Sequence, residues 1–208
     1  MFPADESSLL WRDANENWDA VYNVEAWKRL SELYGDGKKE ETYTLFGSKG
    51  VNPEDILQGS IGNCWFMSAI SAIAEEPGRV EKMFLNTSNA VEPKGIYGVN
   101  MFALGVPITI IVDDYIPTYE YDTDDYRNLF AGAGTDFSVW GAVIEKAFAK
   151  FHGNYKHIVG GIGRMAVRTL VGGPFEDYWH NDKDGNVITS ADDLWDMLSK
   201  HDAAGQII

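Results

Sequence analysis

The segment Gln58-Gly59-Ser60-Ile61-Gly62-Asn63-Cys64-Trp65-Phe66 carries the side chains best suited to covalent chemistry. Cys64 is the only cysteine in the chain, so an internal disulfide and a cysteine-rich zinc site are both excluded. Phe66, Ala69, Ile70 and Ile73 recur at helical spacing and predict an amphipathic helix that begins close to the thiol. A cysteine in the first turn of a helix faces unpaired backbone N–H groups and the positive end of the helix dipole. Both favour thiolate over thiol. Gln58 lies six residues upstream, where its amide is placed to donate to an oxyanion beside the sulfur, together with the Cys64 N–H. Gly59 and Gly62 are expected to let the backbone pass close to a bound substrate. A lone cysteine is more often a small buried hydrophobe. The glutamine, the two glycines, Trp65 and the immediate helix together point instead to an acyl-transfer site.

Several elements must position this segment. A first helix is expected after Asn23, with Trp27, Leu30, Leu33 and Tyr34 on one face and Gly35 as its stop. Residues 47–53 read as loop, and Pro77-Gly78 interrupts the helix that starts at Cys64, with a further helical turn or two over Arg79 to Phe84. Ile96 to Leu104 and Val106 to Val112 predict a β-hairpin about Gly105. The acidic run from Glu120 to Asp125 is expected in a solvated loop. Val139 to Phe151 carries the strongest helical period, through Trp140, Val143, Ile144, Ala147 and Phe148, with Gly153 as its stop. A last helix follows Ser190, with Asp193 completing its cap and Leu194, Trp195 and Leu198 expected to face inward. Gly205 to Ile208 resemble the opening of a strand, as in a chain that continues further.

Composition bounds the setting. At 208 residues, with 45% hydrophobic side chains, the chain can bury a sizeable core. Its formal net charge of −15 repels phosphate backbones and argues against nucleic-acid binding. No apolar run approaches membrane-spanning length, and the first residues lack a secretory signal. One free cysteine fits a reducing, intracellular compartment.

The Cys64 segment resembles the active-site segment of calpains, the calcium-dependent branch of papain-like cysteine proteases. The general papain signature is matched only at Gly62, Cys64 and Trp65, and calpains depart from it at the same places as this chain. The likeness continues through Val112-Asp113-Asp114-Tyr115-Ile116-Pro117, through Trp140-Gly141-Ala142-Val143-Ile144-Glu145-Lys146-Ala147-Phe148-Ala149-Lys150, and at the glycine pairs 160–161 and 172–173. It covers roughly residues 43 to 208, in family order.

The resemblance implies an α+β, papain-like fold of which this chain is the first lobe: predominantly helical, cysteine-bearing, with a small β-hairpin and most of the second lobe missing. It divides the chain into an N-terminal helical extension (1–42), protease core lobe I (43–190), and a crossover helix with a first strand towards lobe II (191–208). The implied activity is peptide-bond hydrolysis of protein substrates through a Cys64 thioester, with Gln58 in the oxyanion hole. Gly161 would pair by its backbone with an extended substrate, its alternative role being that of an ordinary turn glycine. Calcium is implied on the carbonyls of Ser48 and Gly50, the Asp55 carboxylate and the position of Ser138, where a hydroxyl replaces the family's glutamate. Asp136 or the 120–125 run is a candidate to compensate, and Asp55 serves equally as a cap for the next turn. The family also needs a histidine base and an orienting asparagine. His201 lies 137 residues after Cys64, within the usual spacing, but is expected at a helix end with no asparagine after it. His152, His157 and His180 are expected at the surface. The chain is therefore expected to lack its base and to be inactive alone. The alternative is a non-catalytic calpain-like lobe used as a binding or regulatory module, which the serine at 138 favours and intact Cys64 and Gln58 oppose.

Overall fold

The computed structural model describes residues 2–11, 15, 18–19, 23–35, 43–86 and 88–207. They fall into two units, Met1–Gly172 and Gly173–Ile208.

The first unit packs helices against two small antiparallel sheets. α1 spans Leu30–Tyr34, α2 Cys64–Ala74, α3 Trp140–His152 and α4 Gly163–Val171. β2 (Ile96–Ala103) and β3 (Val106–Asp113) form the expected hairpin, paired Ala103 to Val106. Leu104 and Gly105 at its tip both have positive φ, 51° and 84°, the type I′ geometry that matches strand twist. A second sheet runs β1 (Ala26–Arg29), β4 (Tyr115–Asp122), β5 (Asp125–Asn128). The lobe is thus richer in β structure than a helical domain with one hairpin.

Two expectations about local structure fail. Trp27 lies in β1, not in a helix, because Ala26 to Arg29 pair with Thr118 to Tyr115 and the Thr118 hydroxyl donates to the Ala26 carbonyl at 3.0 Å. The helix starts only at Leu30, though it does stop at Gly35. The acidic run is not a loop: Glu120 to Asp122 end β4 and Asp125 opens β5, with the turn at Thr123-Asp124. Its tyrosines supply the strand propensity, and Arg127 stacks over the Tyr121 ring at 3.4 Å while the carboxylates stay in solvent. The described residues of the expected N-terminal extension pack on the rest of the first unit. Phe2, Leu9 and Leu10 are buried, the Ser8 carbonyl accepts from Tyr155 N–H at 3.0 Å, and β1 completes a sheet.

The core lies between α2 and α3. Phe66, Ala69, Ile70 and Ile73 of α2 are buried as their spacing predicts, as are Trp140, Val143, Ile144, Ala147 and Phe148 of α3. The Phe66 and Phe148 rings stack with centroids 4.1 Å apart. α3 ends at Gly153, whose φ of 104° suits glycine. Lys146, fully buried, reaches from α3 to the Asp113 carboxylate and the Tyr115 carbonyl, both at 2.5 Å. Burial pushes its ammonium below the usual lysine range, and Asp113 opposes that. The bond ties the helix beneath the site to the β3–β4 junction.

The second unit holds a short bridge between Asn181 and Val187, then α5 (Ala191–Ala203). Ser190 caps α5 by accepting from Asp193 N–H at 3.1 Å, as expected. No residue of α5 is buried, so the inward face predicted for Leu194, Trp195 and Leu198 is not formed. Trp195 is 70% exposed. Residues 173–208 are too few to build a core of their own. Gly205 is in a turn, and Gln206 and Ile207 form no strand.

Candidate active site

Cys64 is the first residue of α2, and it is exposed. The chain reaches it through a tight turn: the Ile61 carbonyl accepts both from Asn63 N–H (2.9 Å) and from Gln58 Nε2 (2.6 Å). This second bond folds the Gln58 amide back over the turn that delivers the thiol. It uses one of the two Nε2 hydrogens, leaving the other available to an incoming oxygen.

Asn63 is the N-cap of α2, yet its side chain makes no capping bond. An asparagine there ordinarily accepts from a first-turn N–H. Instead its Nδ2 donates to Glu145 Oε1 at 2.7 Å, and the other carboxylate oxygen accepts from Ala131 N–H at 2.9 Å. Phe66 and Met67 N–H bond to the Asn63 carbonyl, so the turn is closed by backbone while Cys64 and Trp65 N–H receive no side-chain cap. Glu145 is 2% exposed, and burial raises its carboxyl to about 7, against the two hydrogen bonds, which lower it.

The glycines divide their roles differently from expectation. A Cβ on Gly59 would sit 2.0 Å from the Phe130 carbonyl oxygen, and Ser60 N–H bonds to Leu129 O at 2.8 Å, so Gly59 clears the protein's own backbone, not a substrate. Gly62 is exposed, and its carbonyl accepts from Gly160 N–H at 2.8 Å, which brings the 160–161 pair beside the cysteine loop. A Cβ on Gly161 would lie 2.4 Å from the Trp65 indole. Gly161 therefore makes room for Trp65, and its exposed backbone remains next to the loop. Trp65 packs structurally: Nε1 donates to the Ile158 carbonyl at 3.0 Å and the ring meets Phe66 and Phe148 edge-on.

The four histidines have partners of their own. His152 lies against Phe148 and Phe151, and burial with nearby His157 holds its imidazole below the usual range. His157 Nδ1 pairs with the His152 carbonyl at 2.8 Å, and its ring meets Trp11 edge-on. His180 Nδ1 pairs with the Thr189 carbonyl at 2.7 Å, and His201, in the last turn of α5, pairs with Gln206.

The second cluster surrounds Asp55. This buried carboxylate accepts from Trp140 Nε1 at 3.2 Å and from Asn52 N–H at 3.1 Å, so it does close the turn at Pro53–Asp55. Burial raises its carboxyl, and neighbouring Asp136 adds to the rise. Asp136 accepts from Lys49 N–H at 3.2 Å, from the Ser48 hydroxyl at 3.4 Å and from Ser138 N–H at 3.3 Å, joining the 47–50 loop to residue 138. Ser138 Oγ is buried beside Asp55 without a hydrogen bond of good geometry, and Thr44 Oγ1, on the adjoining bridge, has none either. Gly50, at φ 82°, turns the same loop. Among the described residues no three His, Cys, Asp or Glu side chains form a metal-binding group.

Sequence reasoning missed Glu145 and the use of Asn63. A signal existed: Glu145 is an acidic residue inside an otherwise apolar helical stripe. Among the described residues no helix is long and apolar enough to cross a membrane.

The family model for calpain family cysteine proteases matches residues 1–208. The calpain-type cysteine protease ADL1 of Oryza sativa subsp. japonica is 30% identical over 197 residues, which is 95% of this chain and 9% of that protein. Calpain-5 of Caenorhabditis elegans is 33% identical over 85% of this chain and 25% of its own length. The calpain-1 catalytic subunit of Rattus norvegicus is 28% identical over 100% of this chain and 26% of its own. The chain thus spans between a tenth and about a quarter of these relatives. A whole-length family match, over a chain whose exposed cysteine opens a helix beneath a folded-back glutamine, makes this protein a member of the calpain family of cysteine proteases.

Proposed function

We propose that Cys64 is the nucleophile of a calcium-regulated cysteine endopeptidase, and that this chain supplies the nucleophile and oxyanion donors while the base lies outside it. The exposed thiol at a helix start without a side-chain cap carries this reading. The Cys64 thiolate attacks the scissile carbonyl carbon. The carbonyl π pair moves to oxygen, where the Cys64 N–H and the second Gln58 N–H receive it. Collapse of the tetrahedral intermediate expels the amine, which takes up a proton, and leaves a thioester on Cys64 for water to hydrolyse. Gly161 offers backbone beside the sulfur for an extended substrate strand. The base and its orienting amide are assigned outside the chain, because each histidine here is engaged elsewhere and the chain spans a minor part of its relatives.

The Asp55 cluster fits a calcium ion. Its donors are all oxygen, the Asp136 charge acts on the Asp55 carboxyl, and the buried Ser138 hydroxyl beside Asp55 lacks a hydrogen bond of good geometry. Ser48, Gly50, Asp55 and Ser138 would hold the ion with Asp136, which brings back a carboxylate where the sequence has Ser138. Calcium there would neutralise the paired carboxylates and fix the 47–55 loop relative to α3. The single free thiol supports a reducing, intracellular setting for this activity.

The test is peptide turnover. The longer polypeptide that contains this chain should cleave a fluorogenic peptide, and Cys64→Ala should abolish it, while the 208-residue chain alone should not turn it over. Turnover that survives Cys64→Ala overturns the nucleophile, and normal cleavage by the chain alone overturns the missing base. A non-catalytic binding module would show no turnover in either form.

A further inference from the structure

α2 begins with an asparagine that does not cap it, and the reason lies across the core. Asn63 is fully buried, its Nδ2 is held by Glu145 Oε1 at 2.7 Å, and its Oδ1 has no partner. A folded protein rarely leaves a buried amide oxygen unpaired when a capping bond is within the reach of that residue type. The carboxylate decides which way the amide turns, because the opposite orientation would set Oδ1 against a negative oxygen. The same carboxylate fixes Ala131 N–H, and residues 129–130 are the backbone on which Gly59 and Ser60 rest. Both ends of the loop that delivers Cys64 therefore depend on one side chain of α3.

We propose that Glu145 is a positioning residue for Cys64: by holding the Asn63 amide away from the start of α2, it keeps the first-turn N–H groups open to substrate and fixes the approach of the thiol. The inference rests on the reading of Cys64 as nucleophile and deepens it. Glu145 touches neither sulfur nor substrate in this role and acts through Asn63. Released from the carboxylate, Asn63 would turn to cap the helix and occupy the N–H groups that an oxyanion needs.

Among the described residues Glu145 faces the Asn63 amide, the Ala131 N–H and the buried phenol of Tyr155, which burial, then the Glu145 and Asp113 charges, hold well above the ordinary tyrosine range. Lys146, next in sequence, is bonded to Asp113 instead. With its carboxyl raised to about 7, Glu145 changes charge near neutral pH, and the neutral acid keeps only one good acceptor oxygen for its two donors.

The test reads the thiol directly, in the 208-residue chain, as the rate of Cys64 carboxamidomethylation by iodoacetamide. Glu145→Leu retains bulk without an acceptor and should slow alkylation about tenfold at pH 8. Adding Asn63→Ala should restore most of the rate, because no side chain is then left to cap the helix. Glu145→Gln can satisfy both partners, with its oxygen on Ala131 and its amide nitrogen on a turned Asn63, but it cannot titrate. The ratio of the wild-type rate to the Glu145→Gln rate should therefore rise as pH passes through about 7. Wild-type rates in folded Glu145→Leu overturn the proposal. If that variant does not fold, a flat ratio for Glu145→Gln overturns it instead. A wild-type Cys64 that reacts no faster than a small-molecule thiol overturns the nucleophile reading as well, which separates the two failures.

Discussion

The loop that delivers Cys64 and the loop that surrounds Asp55 each contain a buried carboxylate, but only one is electrically complete. Among the described residues Glu145 faces two N–H donors and no second acid. Asp55 also accepts two N–H groups, yet the charge of Asp136 acts on it with the same sign, the Ser138 hydroxyl lies beside it without good hydrogen-bond geometry, and the buried Thr44 hydroxyl has no partner. The nucleophile loop is organised by the chain's own hydrogen bonds before any ligand arrives. In the Asp55 loop a buried carboxylate has the part-exposed Asp136 for a neighbour, and a like charge adds to the cost of ionising a buried acid. Both loops are tied to the first half of α3: Asp55 accepts from Trp140 at its first residue, and Glu145 holds Asn63 from the following turn.

This contrast can be broken at four places. The largest effect is expected from the scaffold that both loops share. Lys146→Ala empties a fully buried side chain and leaves the Tyr115 carbonyl without its donor, while the part-exposed Asp113 can turn to water, and should lower unfolding free energy by about 3–5 kcal/mol in urea denaturation. Glu145 gives a pH signature of its own. Its carboxyl ionises near the ordinary 4.5 in the unfolded chain and at about 7 in the folded one. Between those values the folded state retains a proton that the unfolded state releases, so stability falls as pH rises across that window. Wild type should lose about 3 kcal/mol relative to Glu145→Gln between pH 4 and 8, read from denaturant midpoints at each pH. Equal slopes for the two proteins would place Glu145 in a more polar setting than its burial implies.

The Asp55 loop should respond to calcium where the nucleophile loop does not. Saturating calcium should stabilise the chain by about 2–3 kcal/mol at a hundredfold excess over the dissociation constant, and Asp55→Ala should abolish both this shift and the calorimetric heat. Heat that is absent from wild type as well would remove the ion from this loop. The smallest effect is expected at Gly161, where alanine meets the rigid Trp65 indole. Gly161→Ala should cost about 1–3 kcal/mol in thermal unfolding.

What the sequence made legible follows from how local each cause is. α2 and α3 announce themselves because their buried residues repeat within the element, and the β2–β3 hairpin does so through β-branched residues about Gly105. The start of α2 at Cys64 and its place under Gln58 were readable for the same reason. β1 was not, because Ala26 to Arg29 join a strand only through Thr118 to Tyr115, with the bonded residues Ala26 and Thr118 92 positions apart. β4 and β5 were hidden by acids that remain in solvent while tyrosines form the pairing. α4 escaped notice because only Ala166 and Leu170 of its nine residues are buried. The face of α5 was overread: its apolar residues have the right spacing, but the 173–208 unit offers them no core. Glu145 and Asn63 each look ordinary alone, and their meaning appears only when α3 brings one to the other.

Mass spectrometry of the 208-residue chain treated with an activated ester of a short peptide tests the central claim most directly. One acyl group should accumulate on Cys64 and persist, since the chain provides oxyanion donors without a base for deacylation, and Cys64→Ala should remain unmodified. Absence of the adduct from Cys64, or the same acylation in Cys64→Ala, would contradict the assignment of this thiol as the nucleophile.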